Sequence, residues 1–211
     1  MRITKYEHAC LSVEVDGKIL VVDPGEFAEG LENLSNIVAI VVTHAHKDHF
    51  DPEVLETIYD KNPDAVLVAL PEITEKVPDH KSRPVNAGDK VTIEPFSLEF
   101  FGGKHAAIHE SMDTGDNLGV FINNKLYYPG DSFTEPHRPV EVLALPTSGP
   151  WLKLGEVIDF VRNVKPKKFF PTHDFHNSKA GQELFVQMAT PHAREINSEH
   201  IALAIGESLE I

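Results

Sequence analysis

Cysteine occurs once in this chain, at Cys10, and tryptophan once, at Trp151. One thiol cannot close an internal disulfide or build a thiolate site, so any bound metal has to rely on imidazole and carboxylate. Long apolar runs are also missing. None approaches the ~20 residues of a membrane span, and Met1-Arg2-Ile3-Thr4-Lys5-Tyr6-Glu7-His8 has no apolar stretch of the signal-peptide kind. With a thiol suited to a reducing compartment, a cytoplasmic location and no membrane partner are the expectation. Positive charge is scarce: 19 Lys and Arg face 33 Asp and Glu, for a formal net charge of -14. Repulsion of that sign disfavours nucleic acid as a partner and leaves a small-molecule substrate, with the oligomeric state unread. Repeats and low-complexity tracts are absent. With 211 residues, 41% of them hydrophobic, the chain can bury one substantial core, and residues 1–211 are expected to form one domain.

Histidine is the residue in surplus, and it is clustered. Thr43-His44-Ala45-His46-Lys47-Asp48-His49 concentrates imidazoles and a carboxylate in one short run. The aliphatic stretch Ile37-Val38-Ala39-Ile40-Val41-Val42 before it reads as a buried strand. After it, Phe50-Asp51-Pro52-Glu53 reads as a helix start, with Asp51 as cap and Pro52 at the first helical position. A tight loop between a strand and a helix can aim its side chains at one point, and metal chemistry follows from that. The charged run from Glu53 to Asp64 is read as a solvated helix face.

Strands come first along the chain and then alternate with helices. Leu11 to Val15 and Lys18 to Val22 form a hairpin about Asp16-Gly17, a pair suited to a type I′ turn. A helix from Pro52 to about Tyr59, a strand at Ala65 to Ala69 and a short helix from Pro71 to Glu75 follow the metal loop. Val91 to Ile93 pairs with Phe96 to Phe101, and Asn117 to Ile122 with Lys125 to Tyr128 around Asn123-Asn124. Val140 to Leu145 and Lys168 to Pro171 are further strands, and Leu154 to Val164 and Ser178 to Met188 are helices. Ile201 to Ile205 and Ser208 to Ile211 are expected as edge strands. Asp23, the His44 to His49 run, His105, Asp131 and His173 each stand just after a predicted strand, so one edge of the fold would collect them.

These residues resemble the metallo-β-lactamase superfamily, in particular its branch of small metal-dependent hydrolases that includes the ascorbate-phosphate lactonases. The resemblance covers nearly the whole chain. His44, His46, Asp48 and His49 match the H-x-H-x-D-H motif, and Asp23 matches an early Asp. Tyr128-Pro129-Gly130-Asp131-Ser132 is close to the branch's G-D-S form, and Pro171-Thr172-His173-Asp174 to its final P-x-H-D. His8-Ala9 before a strand also fits. The resemblance implies an αββα four-layer sandwich of the α/β class with the metals at one edge. It implies one metal on His44, His46 and His105, a second on Asp48, His49 and His173, and Asp131 between them. Asp23 would orient a ligand imidazole or brace the loop.

Some choices stay open. Lys104-His105-Ala106-Ala107-Ile108-His109 could present either histidine; His105 directly follows a strand and two glycines and is favoured, leaving His109 to line the pocket. His173 is favoured over His176 for the same reason. Trp151 is either core or a wall of the substrate pocket, and His8 either a pocket donor or a partner of the Asp23 loop. His80, His137, His192 and His200 are read as surface residues.

Two divalent ions held by imidazoles and few carboxylates retain positive charge, so a water bridging them can reach a pKa near ~7 against about 15.7 in bulk. The expected activity is attack by that hydroxide on a small ester, lactone, amide or phosphodiester, with Asp48 and Asp131 also able to take its proton. Zinc suits the ligand set, and manganese or iron is admitted without a thiolate. A nuclease or a di-iron redox enzyme of the same superfamily is the alternative. The charge argues against the first, and the second would need a flavin domain that this length cannot supply.

Overall fold

The computed structural model describes residues 1–211, and its elements group as two facing sheets with helices outside them. The first sheet is built from β1 (Arg2–Lys5), β2 (Leu11–Val15), β3 (Lys18–Val22), β4 (Ile37–Val42), β5 (Val66–Ala69) and β6 (Ser82–Pro84), with helices α1 (Pro52–Lys61) and α2 (Pro71–Thr74) in the connections. The second takes β7 (Lys90–Ile93), β8 (Phe96–Gly102), β9 (Leu118–Ile122), β10 (Leu126–Tyr128), β11 (Val142–Pro146), β12 (Lys168–Thr172) and β13 (Glu199–His200), with α3 (Leu154–Val164) and α4 (Lys179–Glu195). The last strand, β14 (Ser208–Glu210), returns to the first sheet beside β1. Each sheet is antiparallel through its early strands and parallel through its later ones: β3 to β6 in one, β10 to β13 in the other. This is the four-layer α/β sandwich expected from the sequence.

Side-chain alternation accounts for the layering. In the second sheet Leu126, Tyr128, Val142, Ala144 and Phe170 join the core between the sheets, while Tyr127, Leu143, Leu145 and Phe169 join a separate cluster with Val157, Phe160 and Phe185 of α3 and α4. Strands buried on both faces must be apolar throughout, which is why β4 and β11 read as unbroken hydrophobic runs. Burial of each such side chain contributes about 1.5–3 kcal/mol.

The local signals translate as physics requires. Asp16 and Gly17 both have positive φ (51° and 74°), and so do Asn123 and Asn124 (50° and 52°), giving the left-handed pair that a type I′ hairpin needs. The Asp51 carboxylate accepts from the Glu53 amide at 2.8 Å and caps α1, with Pro52 next to it.

Several elements differ from expectation, among them β6, which was not expected at all. The polar strand β1 carried no clear pattern; its pairing with β2 and β14 supplies the register. Helix α4 runs on through Pro191 to Glu195 instead of stopping near Met188, because Ala189 and Ala193 pack on the second cluster and tertiary burial outweighs one lost backbone bond. Residues 201–205 are not a strand. Pairing with β12 takes place at Glu199 and His200, and the chain then turns at Gly206, whose amide donates to the Lys5 carbonyl. No helix is long and apolar enough to cross a membrane.

Candidate metal centre

Six loops that leave the C-terminal ends of strands meet at one edge. His8 follows β1, Asp23 follows β3, His44 to His49 follow β4, His105 follows β8, Asp131 follows β10 and His173 follows β12. Ligand atoms of His44, His46 and His105 lie within 4.8 Å of one another, with His44 Nε2 only 3.1 Å from His46 Nδ1. A second group within the same limit combines His8, Asp48, His49 and His173. Asp131 stands between the two. Its Oδ1 is 3.2 Å from His49 Nε2, and its Oδ2 is 3.3 Å from His105 Nε2 and 3.1 Å from His173 Nε2.

The backbone around these groups is held by tight local contacts. Asp23, fully buried, accepts from the Thr43 amide at 2.8 Å, from the Thr43 hydroxyl at 2.7 Å and from His49 Nδ1 at 2.6 Å. His49 thus points Nε2 at Asp131, with its tautomer set from behind. His8, Asp23 and His173 all have positive φ (57°, 48° and 55°), a conformation that costs a non-glycine residue of order 1–3 kcal/mol. Gly25 is required for a different reason: a Cβ there would lie 2.0 Å from the Asp48 carbonyl oxygen, so the Asp23 loop presses directly on the metal loop.

Asn117 was not picked out from the sequence as a site residue. Asn117 is fully buried just before β9; its amide donates to the Pro129 carbonyl at 2.9 Å and its Oδ1 accepts from the Asp131 amide at 2.9 Å. It sets the turn that presents Asp131, and the one signal for it was an asparagine at the head of an otherwise apolar strand.

Electrostatics divides the cluster. Burial, helped by nearby His49, holds His44 well below the usual imidazole range and lowers His46 as well, so both are neutral. For His49 and His173 burial works the same way but loses to Asp131: His49 is held well above the ordinary value and His173 is pushed up to about 9. Burial opposes ionisation of Asp131 and Asp48, yet His49 and His173 for the first, and the adjacent His173 and His8 rings for the second, keep both carboxylates below their usual range. Buried His49 Nε2, His105 Nε2, His173 Nε2 and Asp131 Oδ1 have no hydrogen-bond partner. Such orphaned atoms are costly unless something satisfies them, and an imidazole and carboxylate donor set fits a divalent cation.

The structure separates the alternatives left open. His105 joins the cluster, its Nδ1 directed at the Ala106 carbonyl at 2.6 Å. His109 is not part of the cluster: it is exposed and pairs with Ser111 at 2.8 Å. His176 is exposed too. Trp151 is buried, and its indole N–H donates to Asp131 Oδ2 at 2.8 Å; it braces a site carboxylate and is more than an open pocket wall. His200, expected at the surface, is half-buried and lines a groove of about 950 Å³, whose sides toward the centre are the buried residues Lys5, His8 and Asp174.

Residues 2–173 match the family model described as the β-lactamase superfamily domain. The chain belongs to the metallo-β-lactamase superfamily. Among its relatives, Protein Rv0786c of Mycobacterium tuberculosis is 34% identical over 178 residues, covering 82% of this chain and 84% of that protein. A UPF0173 metal-dependent hydrolase of Flavobacterium johnsoniae is 31% identical over 144 residues, 63% of this chain and 62% of that one. Igni18, a metallo hydrolase from Ignicoccus hospitalis, has a similar fold, with a TM-score of 0.77 at 19% identity over 100% of this chain and 98% of the other. This superfamily member is a metal-dependent hydrolase, and binding of divalent metal goes with that class.

Proposed function

We propose that this hydrolase holds two divalent ions and cleaves a small ester, lactone, amide or phosphodiester. His44, His46 and His105 would hold one ion, Asp48, His49 and His173 the other, and Asp131 would touch both. The observation that carries this reading is Asp131, whose two oxygens face imidazole nitrogens from both candidate ligand groups at 3.1–3.3 Å while those nitrogens have no hydrogen-bond partner. Zinc suits the donors best, with manganese or iron also admitted by a set that lacks thiolate. When bound, two such ions make hydroxide available near neutral pH and polarise a carbonyl or phosphoryl oxygen.

The chain's own groups do the rest. Neutral His44 and His46 offer lone pairs without first losing a proton. Asp48 is the more open carboxylate, its side chain 24% exposed against 3% for Asp131. With Oδ2 engaged by His8, Asp48 would be the carboxylate to take a proton during turnover. Asp131, fixed by Asn117 and Trp151, is a positioning group whose charge offsets that of the ions. A net charge of -14 favours neutral or singly charged substrates over polyanions lying along the surface.

Elemental analysis of protein purified without chelator and incubated with zinc or manganese tests the reading, followed by a panel of small lactones, esters, amides and phosphodiesters. Close to two ions per chain are expected, falling to about one in His105→Ala and unchanged in His109→Ala. A wild-type value near zero overturns the dinuclear centre, and rapid RNA cleavage with no small-substrate turnover overturns the substrate class.

A further inference from the structure

His8 contacts both the Asp48 loop and the His173 loop, and its own hydrogen bonds settle how. Its Nδ1 lies 3.3 Å from the Phe175 backbone amide, which can only donate, so Nδ1 presents a lone pair. The ring proton therefore sits on Nε2, 3.1 Å from Asp48 Oδ2, where a carboxylate can only accept. The opposite tautomer would set two N–H groups against each other at Nδ1. A cation on Nε2 would need that tautomer, so proximity to the ligands does not make His8 one of them.

The main chain of the same residue completes the link. The His8 carbonyl accepts from the His173 amide at 2.7 Å, and the two rings lie 3.9 Å apart between centroids. The ring is 1% exposed, closed in by the edges of Phe27 and His176 at 5.3 Å each. Water does not compete for its bonds. The left-handed φ of 57° is what lets the carbonyl and the ring face the centre together.

We propose that His8 is a positioning residue that, as the Nε2–H tautomer, orients Asp48 and registers the first-sheet loop of the centre against the His173 loop of the second sheet. It rests on the dinuclear reading only for its effect on the second ion; the Asp48 contact itself belongs to the metal-free protein.

Two measurements test it. Long-range ¹⁵N–¹H correlation spectra of metal-free and zinc-loaded protein should show His8 protonated at Nε2 and bare at Nδ1 in both. A proton on Nδ1 with a metal-shifted Nε2 overturns the proposal in favour of direct ligation. Zinc affinities by chelator competition should show, in His8→Phe, the weaker of the two sites loosened by about 10–100-fold with the tighter one unchanged, the usual effect of losing a partner that orients a ligand. His8→Asn should recover part of that loss, since its amide supplies both a donor and an acceptor and asparagine tolerates positive φ. A folded His8→Phe protein with both wild-type affinities overturns the role, as does a His8→Asn protein no tighter than His8→Phe, and the tautomer measurement decides if His8→Phe does not fold. Wild-type uptake of a single ion would instead sink the dinuclear reading and leave the tautomer measurement to judge His8 alone.

Discussion

The two candidate ligand groups at the sheet edge are built on different principles. His44, His46 and His105 are all imidazole, with His46 half-open to solvent, and their support is light: the Thr43 hydroxyl behind His44 and the Ala106 carbonyl behind His105. Asp48, His49 and His173 mix charge with imidazole and are braced by Asp23, His8 and, through Asp131, by Asn117 and Trp151. A trio without a carboxylate needs little bracing, because it contains no opposite charges to pull its rings out of place. Carboxylates beside imidazoles attract one another in the metal-free protein, and without rigid backing they would collapse into ion pairs of the wrong geometry. Bracing therefore concentrates where the charge is.

Asp131 is the one group shared by both, so its replacement should give the largest effect. Asp131→Asn keeps the shape and removes the charge, and turnover of any substrate found in the panel should fall by at least ~100-fold with loss of the second ion. Metal analysis and kcat on folded protein check this. Unchanged turnover would break the comparison, since the two groups would then work without a common carboxylate.

That asymmetry also explains what could be read from the sequence. Ligands follow strands, and strands announce themselves: the apolar run at Ile37–Val42 and the motif after it located the centre, and Gly130-Asp131 and Pro171-Thr172-His173 placed two more corners. The bracing residues act between neighbouring loops that are far apart in the chain, mostly within one sheet, and leave little local trace. Asn117 lies 14 positions from the Asp131 it holds, and Gly25 matters only because the Asp48 backbone passes where its side chain would be. The layers were legible from alternation and burial. The ends of β1 and α4 were not, because a β14 partner far along the chain fixes one and packing of Ala189 and Ala193 fixes the other.

Trp151 sharpens the comparison at smaller scale. Its N–H reaches Asp131 from the second sheet, and Trp151→Phe removes that donor while keeping an aromatic ring against Phe133 and His105. Metal affinity should drop by about 10-fold with the fold retained. Trp151→Ala would instead cost about 3–5 kcal/mol of stability as a buried aromatic deletion, which separates the two contributions of the side chain. Thermal melts and chelator competition on both variants read them independently.

The smallest effect is one of pH on metal-free protein, and its sign differs between the groups. His49 and His173 have raised values in the fold, so the stability they contribute is fully present below the ordinary imidazole value of ~6.5 and is lost as pH climbs through about 9, the level of His173. His44 and His46 are lowered, so they cost stability as pH falls below ~6.5, where the unfolded chain takes up protons that the fold refuses. Asp48 and Asp131, also lowered, contribute above the ordinary carboxylate value of ~3.9 and add to the acid-side loss. Metal-free protein should therefore be most stable near pH 6–7, with Tm falling by a few degrees toward pH 9.5, since ~1 kcal/mol is worth roughly 2–4 °C in a chain of this size. Zinc-loaded protein should lack the alkaline fall, because coordination has already taken the protons from His49 and His173. Parallel melts of the two forms across that range make the measurement. An alkaline fall of equal size in both would place the titrating groups outside the second ligand set and remove the electrostatic difference between the two halves of the centre.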